Sequence, residues 1–316
     1  MRVVQISDLH LSREYPLFLH NWQTVARLID ELAPDLVLAT GDLALAEPDR
    51  ADDLAFAARS LAMLDRPVLS LPGNHDIGEG APGDLAPTGE QKPVTSERVG
   101  RFRKLVGPDY WSHHAGGWRF VGINSQLFGT GLPEEEAQNA FIANELGRAD
   151  APPTILVTHK PLFSEPQGCA RPGRAIPQAH SAWLRRLLTR AGVGHVLSGH
   201  MHRYKAYVDA GITHVWAPST AFISTHASHA DRGGEAVLGL LCHDIDAHGV
   251  TTRFVDDCRL ITSDIRNWAL PRGNALWTIV TEPSPITAVD SGGGFDVDPD
   301  RDARADYSGL RPGRER

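Results

Sequence analysis

The stretch Arg2-Val3-Val4-Gln5-Ile6-Ser7-Asp8-Leu9-His10 places a strand-like run directly before an aspartate and a histidine. The β-branched, apolar residues of this run fill the length of one buried strand. The same order recurs twice, where Leu36-Val37-Leu38-Ala39 leads to Gly41-Asp42 and where Val68-Leu69-Ser70-Leu71 leads to Gly73-Asn74-His75-Asp76. Repetition of a strand followed by a polar cluster indicates that the chain builds one site at the edge of a sheet.

Helical periodicity separates these strands. Apolar residues recur at helix spacing over residues 22–32 and again over residues 54–64. Strands that alternate with helices predict a parallel sheet with crossover helices, which is an α/β fold. The alternation continues in the middle of the chain. Strands are expected at residues 119–123, 154–157 and 193–197, and helices at residues 134–146 and 178–190.

The pattern changes after Gly199, where strand-like runs follow one another without helices. These runs cover residues 204–208, 214–217, 237–242 and 251–255. We therefore predict a second, largely antiparallel sheet built from these late strands.

Composition along the chain predicts its domain organisation. Residues 1–255 contain the strands and the polar clusters and are expected to form one catalytic domain. Residues 256–286 are expected to pack on this domain as a C-terminal extension. Over residues 287–316 Gly, Asp, Arg, Ser and Pro dominate, which predicts a disordered tail.

Overall composition bounds the function. A chain of 316 residues with 41% hydrophobic content can bury one large core. The net charge of -8 and the pI of 6.0 argue against a nucleic-acid polymer as partner. Cys169, Cys242 and Cys258 are scattered and odd in number, which predicts reduced thiols and a cytoplasmic location. The sequence shows neither a secretory leader nor an apolar run that would span a membrane, and a homo-oligomer is left open.

Metal-binding side chains stand at the ends of the predicted strands. They are carboxylates, imidazoles and one amide, at Asp8, Asp42, Asn74, His159 and His200. The carboxyl ends of parallel strands are where open α/β sheets bind their ligands. Oxygen donors mixed with imidazole, without a thiolate, suit Mn²⁺, Fe or Zn²⁺. The sequence therefore predicts two divalent metal ions and does not choose among these three.

The motifs, taken in order, resemble those of the calcineurin-like metallophosphoesterases over roughly the first 220 residues. They are Asp8-x-His10, Gly41-Asp42, Gly73-Asn74-His75-Asp76, His159 and Gly199-His200-x-His202. The resemblance implies a four-layer α/β sandwich, with two mixed β-sheets flanked by helices and a dinuclear metal centre at their edge. It further implies two ligand sets bridged by Asp42. One metal would bind Asp8, His10, Asp42 and His202, and the other Asp42, Asn74, His159 and His200.

Residues that flank the motifs narrow the resemblance to one branch of the family. Purple acid phosphatases carry a Tyr at the position of Leu45, and protein Ser/Thr phosphatases carry a Gly at the position of Leu11. Four strings instead resemble the bacterial phosphodiesterase branch, which includes class III cyclic-nucleotide phosphodiesterases and glycerophosphodiesterases. These strings are Ser7–Leu11, Thr40–Leu43, His159–Leu162 and Ala217–Thr220.

The expected activity is hydrolysis of a small phosphodiester, with 3′,5′-cyclic AMP as the leading substrate. Two metal ions about 3.5 to 4 Å apart lower the pKa of a shared water, so that a bridging hydroxide attacks phosphorus. His75 belongs to neither ligand set and is expected to protonate the leaving group, with Asp76 orienting its ring. Asn74, His202 and His226 are expected to contact the substrate together with His75.

Two alternatives stay open. A glycerophosphodiester, or another small phosphoester, would suit the same metal pair. A catalytically inactive metal-binding scaffold for other proteins is the alternative from another class, although every ligand position of the resemblance is filled here.

Histidines outside the motifs are expected to be structural. We predict burial with a hydrogen bond for His20, His180, His195, His214 and His248. The sequence His243-Asp244-Ile245-Asp246 places one imidazole and two carboxylates close together, and we expect it to form a turn rather than a second metal site.

Overall fold

The computed structural model describes residues 1–45, 48–80, 92–148, 151–164, 173–225 and 232–265, all of them within the unit Met1–Ala269. The expectations for Cys169, for His226 and for the tail over residues 287–316 lie outside the described residues. The same holds for most of the predicted extension over residues 256–286, so the domain boundaries stay predictions. None of the described helices is both long enough and apolar enough to cross a membrane.

The described residues form strands and helices that alternate through the first two thirds of the chain. The strands are β1 (Arg2–Ile6), β2 (Leu36–Ala39), β3 (Val68–Ser70), β4 (Trp111–Ala115), β5 (Trp118–Ile123), β6 (Thr154–Thr158), β7 (His195–Ser198), β8 (Lys205–Asp209), β9 (Ile212–Trp216), β10 (Leu240–Asp246) and β11 (Gly249–Val255). The helices are α1 (Leu19–Leu32), α2 (Ala51–Ala62), α3 (Asn74–Ile77), α4 (Ser96–Leu105), α5 (Pro133–Gly147) and α6 (Gln178–Arg190).

The strands form two mixed sheets, as the family resemblance implies. The first sheet has the order β11-β10-β1-β2-β3, and the second has the order β4-β5-β6-β7-β9-β8. Strands β1, β2 and β3 are parallel, and so are β5, β6, β7 and β9. The remaining pairs are antiparallel. The predicted α/β class with two mixed sheets is confirmed.

The separate antiparallel sheet predicted for the late strands is wrong. The hairpin β8–β9 extends the second sheet through β7, and the hairpin β10–β11 extends the first sheet through β1. Local alternation reveals each hairpin, but it does not reveal the distant neighbour that each hairpin takes. The burial of β9 and β10 shows why they join larger sheets, since most of their residues are covered on both faces.

The core lies in two layers. Side chains of the first sheet, such as Val3 and Leu38, pack against side chains of the second sheet, such as Phe120 and Val157. On the opposite face of the second sheet, strand residues including Val121 pack against α5 and α6. Neighbouring residues of a strand point to opposite faces of the sheet, so the strands of the second sheet contribute side chains to both layers of the core. The carboxyl edge of the sheet is left for the loops.

Candidate metal centre

Loops at the carboxyl edge of the strands are hydrogen-bonded to one another. The backbone N–H of Asp8 donates to the Gly41 carbonyl at 3.0 Å, and that of His10 donates to the Asp42 carbonyl at 3.0 Å. On the second sheet, the N–H of Gly199 donates to the carbonyl of His159 at 2.9 Å. These bonds bring polar clusters that are far apart in the sequence onto one edge.

Three motif glycines leave space for this convergence. A Cβ atom on Gly41 would lie 2.4 Å from Nδ1 of His159, and one on Gly73 would lie 2.1 Å from Oδ1 of Asp42. A Cβ atom on Gly199 would lie 1.8 Å from the hydroxyl of Ser7. Only glycine permits such close approach, so the glycines next to the ligands are part of the site.

The first ligand set consists of Asp8, His10, Asp42 and His202. Its four donor atoms all lie within 4.8 Å of one another. Nε2 of His202 lies 3.2 Å from Oδ1 of Asp8 and 3.2 Å from Nε2 of His10. Two carboxylates and two imidazoles therefore aim at one point.

The second ligand set contains Asp42, His159 and His200, whose donor atoms also lie within 4.8 Å of one another. Nε2 of His159 lies 3.2 Å from Nδ1 of His200 and 3.5 Å from Oδ1 of Asp42. The amide oxygen of Asn74 lies 3.3 Å from the same Nε2 atom. The structure thus brings all seven sequence-predicted ligands together, in the two sets that the family resemblance implies.

Asp42 belongs to both sets through different oxygens. Its Oδ2 lies 3.9 Å from Nε2 of His10, whereas its Oδ1 faces His159. The side chain is buried, and Oδ1 also accepts the backbone N–H of His75 at 2.9 Å. This geometry is the one that a bridging carboxylate needs.

Backbone carbonyls orient three of the four imidazoles. Nδ1 of His159 lies 2.7 Å from the Thr40 carbonyl, and Nε2 of His200 lies 2.8 Å from the Gly173 carbonyl. Nδ1 of His202 lies 3.2 Å from the carbonyl of Phe222. A ring N–H that donates to a carbonyl leaves the other nitrogen as a lone pair directed at the site, which is the usual arrangement around bound metals.

The donor set fits divalent cations. Nε2 of His159 and Nδ1 of His200 face each other at 3.2 Å, and when both rings are neutral and donate from their other nitrogens to carbonyls, each of these two atoms carries a lone pair. Two facing lone pairs repel unless a proton or a metal ion lies between them. Four imidazoles, two carboxylates and one amide without a described thiolate match the predicted chemistry of Mn²⁺, Fe or Zn²⁺.

Protonation of the buried ligands follows from their neighbours. Burial raises the pKa of Asp42, but the positive charges of His159, His75 and His10 together outweigh burial and hold this pKa well below its ordinary value. Burial lowers the pKa of His159, but the carboxylates of Asp42 and Asp8 and the bond to the Thr40 carbonyl together raise this pKa to about 9. Burial lowers the pKa of His10 and of His200. Metal binding would therefore displace a proton from His159.

Several ligands lie on a strained backbone. Seven non-glycine residues in the described ranges have a positive φ angle, and five of them are ligands. The five are Asp8, His10, Asp42, His200 and His202, with φ between 47° and 66°. Such conformations cost energy for residues with a Cβ and are concentrated at functional sites. No feature of the sequence predicted them.

Asp76 has a different role from the predicted one. Its buried carboxylate accepts backbone N–H groups from Leu43 at 3.0 Å, Ala44 at 2.9 Å and Gly73 at 2.8 Å. Burial and the neighbouring negative charge of Asp42 raise the pKa of Asp76 to about 7. Consecutive residues of a helical turn do not face each other, so Asp76 ties two ligand loops together instead of orienting the ring of His75.

His75 lies next to the first ligand set. Its ring contacts the ring of His10 edge-on, with centroids 4.7 Å apart. Its Nδ1 lies 2.9 Å from the carbonyl of Leu45, which takes the orienting position that sequence reasoning assigned to Asp76. His75 is therefore placed beside the metal centre without belonging to either ligand set.

The cluster around His243 is not a second metal site. His243, Asp244 and Asp246 lie in the regular strand β10, so the predicted turn is wrong. The imidazole of His243 contacts Thr252 and Gln5, and the carboxylate of Asp244 pairs with arginines. His243 and Asp244 point to opposite faces of the strand, and none of the three residues belongs to a group of described side chains that could hold a metal ion.

The remaining histidines are only partly as predicted. His214 is buried, but neither of its ring nitrogens has a hydrogen-bond partner among the described residues, so only half of that prediction holds. His180 and His195 are half-buried, and His20 and His248 are exposed, so the expectation of burial is wrong for the last two. Of the predicted substrate contacts, Asn74, His75 and His202 lie together at the metal centre. Sequence reasoning missed the carbonyls behind the imidazoles, because any residue can supply a carbonyl.

The structure thus combines two mixed sheets with two groups of side chains that could each hold a metal ion. The family model described as calcineurin-like phosphoesterase matches residues 1–204. The chain therefore belongs to the calcineurin-like phosphoesterase family, as its motifs indicated.

Curated relatives match a shorter stretch. The chain is 29% identical over 182 residues to the 3′,5′-cyclic adenosine monophosphate phosphodiesterase CpdA of Escherichia coli K12, covering 54% of this chain and 58% of CpdA. It is 30% identical over 181 residues to the serine/threonine-protein phosphatase CPPED1 of Mus musculus, covering 54% of each chain. The chain thus spans a little over half the length of these relatives.

Similarity to solved structures supports the fold. GAP50, the anchor in the inner membrane complex of Plasmodium, superposes with a TM-score of 0.55 at 15% identity, covering 83% of this chain and 86% of GAP50. At this identity the similarity concerns the fold alone.

Proposed function

We propose that the protein is a dinuclear-metal-dependent phosphodiesterase for small phosphodiesters, with 3′,5′-cyclic AMP as the leading substrate. The observation that carries the proposal is the pair of complete ligand sets, in which every position holds a metal-binding residue and which share Asp42. Family membership supports a phosphoester as the substrate class, and the similarity to CpdA supports a cyclic nucleotide within it.

The metal pair and the protein have separate tasks in this proposal. Mn²⁺, Fe or Zn²⁺ ions, when bound by the two ligand sets, supply water activation and neutralise phosphate charge. Asn74 contacts His159 within the second set and directly precedes His75 in the chain, and it is suited to contact a phosphate oxygen. His226, outside the described residues, is retained as a proposed contact for the base of the nucleotide.

His75 is the proposed general acid. The N–H at Nδ1 donates to the carbonyl of Leu45, which fixes the orientation of the ring. Its backbone N–H is held by Asp42, so the position of the acid is coupled to the bridging ligand. The second ring nitrogen then delivers a proton to the leaving alkoxide, a contribution of about 10² to 10⁴-fold in rate.

Two other substrate classes and one role without catalysis are the alternatives to this function. Glycerophosphodiesters suit the same centre because their phosphate also carries one charge. The similarity to CPPED1 favours a phosphoprotein substrate, although Leu11 and Leu43 stand where the protein Ser/Thr phosphatase motif differs. A catalytically inactive scaffold is the alternative from another class, but the complete ligand sets of this chain argue for hydrolysis.

A substrate panel tests the proposal. Metal-loaded protein is assayed for kcat/KM with cyclic AMP, glycerophosphocholine, bis-p-nitrophenyl phosphate, p-nitrophenyl phosphate and a phosphoserine peptide. We expect the diesters to exceed the monoesters, with cyclic AMP first. A preference for the phosphopeptide or for p-nitrophenyl phosphate would contradict the diesterase proposal, and no hydrolysis in any metal would favour the scaffold.

We also infer a cytoplasmic location and a small-molecule partner rather than a nucleic-acid polymer. The thiols of Cys242 and Cys258 are free, which supports a reducing compartment. The net charge of -8 supports the absence of a polyanionic partner. A homo-oligomer is compatible with both inferences and is tested by light scattering.

A further inference from the structure

A buried ion pair lies beside the second ligand set. The ammonium group of Lys160 donates to the carboxylate of Glu79, and the two residues are only 5% and 7% exposed. Removing two charges from water is costly, so a buried pair of this kind requires that each charge keep its partner. The family motifs do not include Glu79, and its sequence position alone gave no reason to select it.

The pair lies close to the metal centre by chain position and by contact. Lys160 directly follows the ligand His159, and Glu79 follows the helical turn α3 that begins at Asn74. A Cβ atom on Gly173 would lie 3.6 Å from Oε1 of Glu79, and the Gly173 carbonyl accepts the ring N–H of the ligand His200 at 2.8 Å. Glu79, Gly173 and His200 thus form a continuous set of neighbours.

The ammonium of Lys160 lies beside the metal centre, because Glu79, to which it donates, neighbours Gly173, and the Gly173 carbonyl contacts the ring of His200. Burial lowers the pKa of His200, and the positive charges of His159 and Lys160 lower it further. A cation that acts on a ligand imidazole also acts on a phosphate bound to the same metal. Without a partner, such a cation would attract a phosphomonoester dianion more strongly than a phosphodiester monoanion, because the dianion carries one more charge.

We propose that Glu79 is a specificity-determining residue that holds the Lys160 ammonium in an ion pair and so keeps the metal centre selective for singly charged phosphodiesters over doubly charged phosphomonoesters. This inference rests on the proposed phosphodiesterase function. It assigns Glu79 no contact with the reacting atoms, since the residue acts through the cation that it engages.

The test uses Glu79→Gln and two substrates with the same leaving group. The ratio of kcat/KM for bis-p-nitrophenyl phosphate to that for p-nitrophenyl phosphate is measured on metal-loaded protein. In Glu79→Gln the ratio should fall about tenfold, because one released charge acts on one additional phosphate charge across a partly buried site. Most of the fall should come from a rise in the monoester rate.

Lys160→Met supplies the opposite change. It leaves the Glu79 carboxylate without the ammonium and should raise the same ratio, because the dianion is repelled more strongly. The double variant Glu79→Gln/Lys160→Met should return to within about threefold of the wild-type ratio, since the two opposite charges are then removed together. Glu145→Gln, which alters the buried pair between Arg119 on β5 and Glu145 on α5, is the matched control and should leave the ratio unchanged.

The outcomes distinguish a failure of this inference from a failure of the proposed function. An unchanged ratio in Glu79→Gln with both metals retained would overturn the inference, and so would an equal fall in the double variant. If Glu79→Gln loses its metals or its fold, the direction of change in Lys160→Met decides alone. Wild-type protein that cleaves neither substrate would instead refute the phosphodiesterase function.

Discussion

The metal centre and the strand β10 both bury histidine next to aspartate, with opposite results. His159 and His243 are each 0% exposed, yet His159 lies within 3.5 Å of a carboxylate, whereas the ring nitrogens of His243 face Thr252 and Gln5. Burial lowers the pKa of His243 to about 3, whereas at His159 the carboxylates of Asp42 and Asp8 and the Thr40 carbonyl together outweigh burial. Burial of an imidazole therefore does not identify a metal ligand.

The conformation of the backbone explains why histidine and aspartate face each other at the metal centre but not in β10. In β10 the extended chain sends His243 and Asp244 to opposite faces, and Asp244 reaches Arg2 and Arg253. At the metal centre the chain leaves the strand and turns through left-handed residues such as Asp42, so that side chains from several loops point inward. Convergence of loops, together with carbonyls that direct three of the four rings, is what separates a metal site from a buried histidine.

The largest effect is expected from Asp42→Ala. This carboxylate faces both ligand sets, so its loss should abolish metal binding and lower kcat/KM by more than about 10³-fold. Asp244→Ala, which alters an exposed ion pair beside a buried histidine, should keep metals and activity. Elemental analysis and diester hydrolysis measure both variants. Equal behaviour of the two would remove the distinction between the regions.

His75→Ala tests a residue that is near the metals but outside their ligand sets. Both metals should be retained, and hydrolysis of cyclic AMP should fall by about 10² to 10⁴-fold because its leaving alkoxide needs a proton. Bis-p-nitrophenyl phosphate should be affected much less, since p-nitrophenolate leaves without protonation. Equal loss on the two substrates with loss of metal would make His75 a ligand instead.

Gly73→Ala tests whether the close approach of loops is needed. The added Cβ would lie 2.1 Å from Oδ1 of Asp42, so we expect metal affinity to fall about 10 to 100-fold. Gly100 lies in α4 with nothing within 4 Å of its Cβ position, and Gly100→Ala should leave metal affinity unchanged and stabilise the fold by about 0.4–1 kcal/mol. Metal titration and urea unfolding distinguish these outcomes.

The smallest effect concerns His243 and pH. Its pKa falls from an ordinary 6.5 to about 3 in the folded protein, chiefly through burial. Below pH 6.5 the unfolded chain binds a proton that the folded chain does not, so stability falls as the pH falls. Between pH 7.5 and 5 the wild type should lose about 1–2 kcal/mol more than His243→Gln. Urea unfolding at both pH values measures this, and parallel losses would contradict neutral burial of His243.

The residues that converge at the candidate metal centre could be selected from the sequence because each motif is local. Asp8, Asp42 and Asn74 follow recognisable apolar strands, and parallel strands bring their carboxyl ends together. Sequence reasoning did not reach the pairing of β10 with β1, because strand neighbours more than 200 residues apart leave no local pattern. The predicted role of Asp76 failed for a related reason, since the direction of a side chain depends on loop geometry.

Features that no particular residue type indicates could not be predicted from the sequence either. The carbonyls of Thr40, Gly173 and Phe222 orient the imidazoles, and any residue supplies a carbonyl. The Glu79–Lys160 pair joins positions separated by 81 residues, and each member alone resembles an ordinary surface charge. These features depend on the folded arrangement of loops.

Anomalous diffraction from crystals grown with Mn²⁺ tests the dinuclear centre most directly. Two peaks are predicted about 3.5 to 4 Å apart, one within the set of Asp8, His10 and His202 and one within the set of Asn74, His159 and His200, with Asp42 between them. A single peak, or two peaks without Asp42 as a shared ligand, would contradict the assignment of two metal sites to this edge of the sheets.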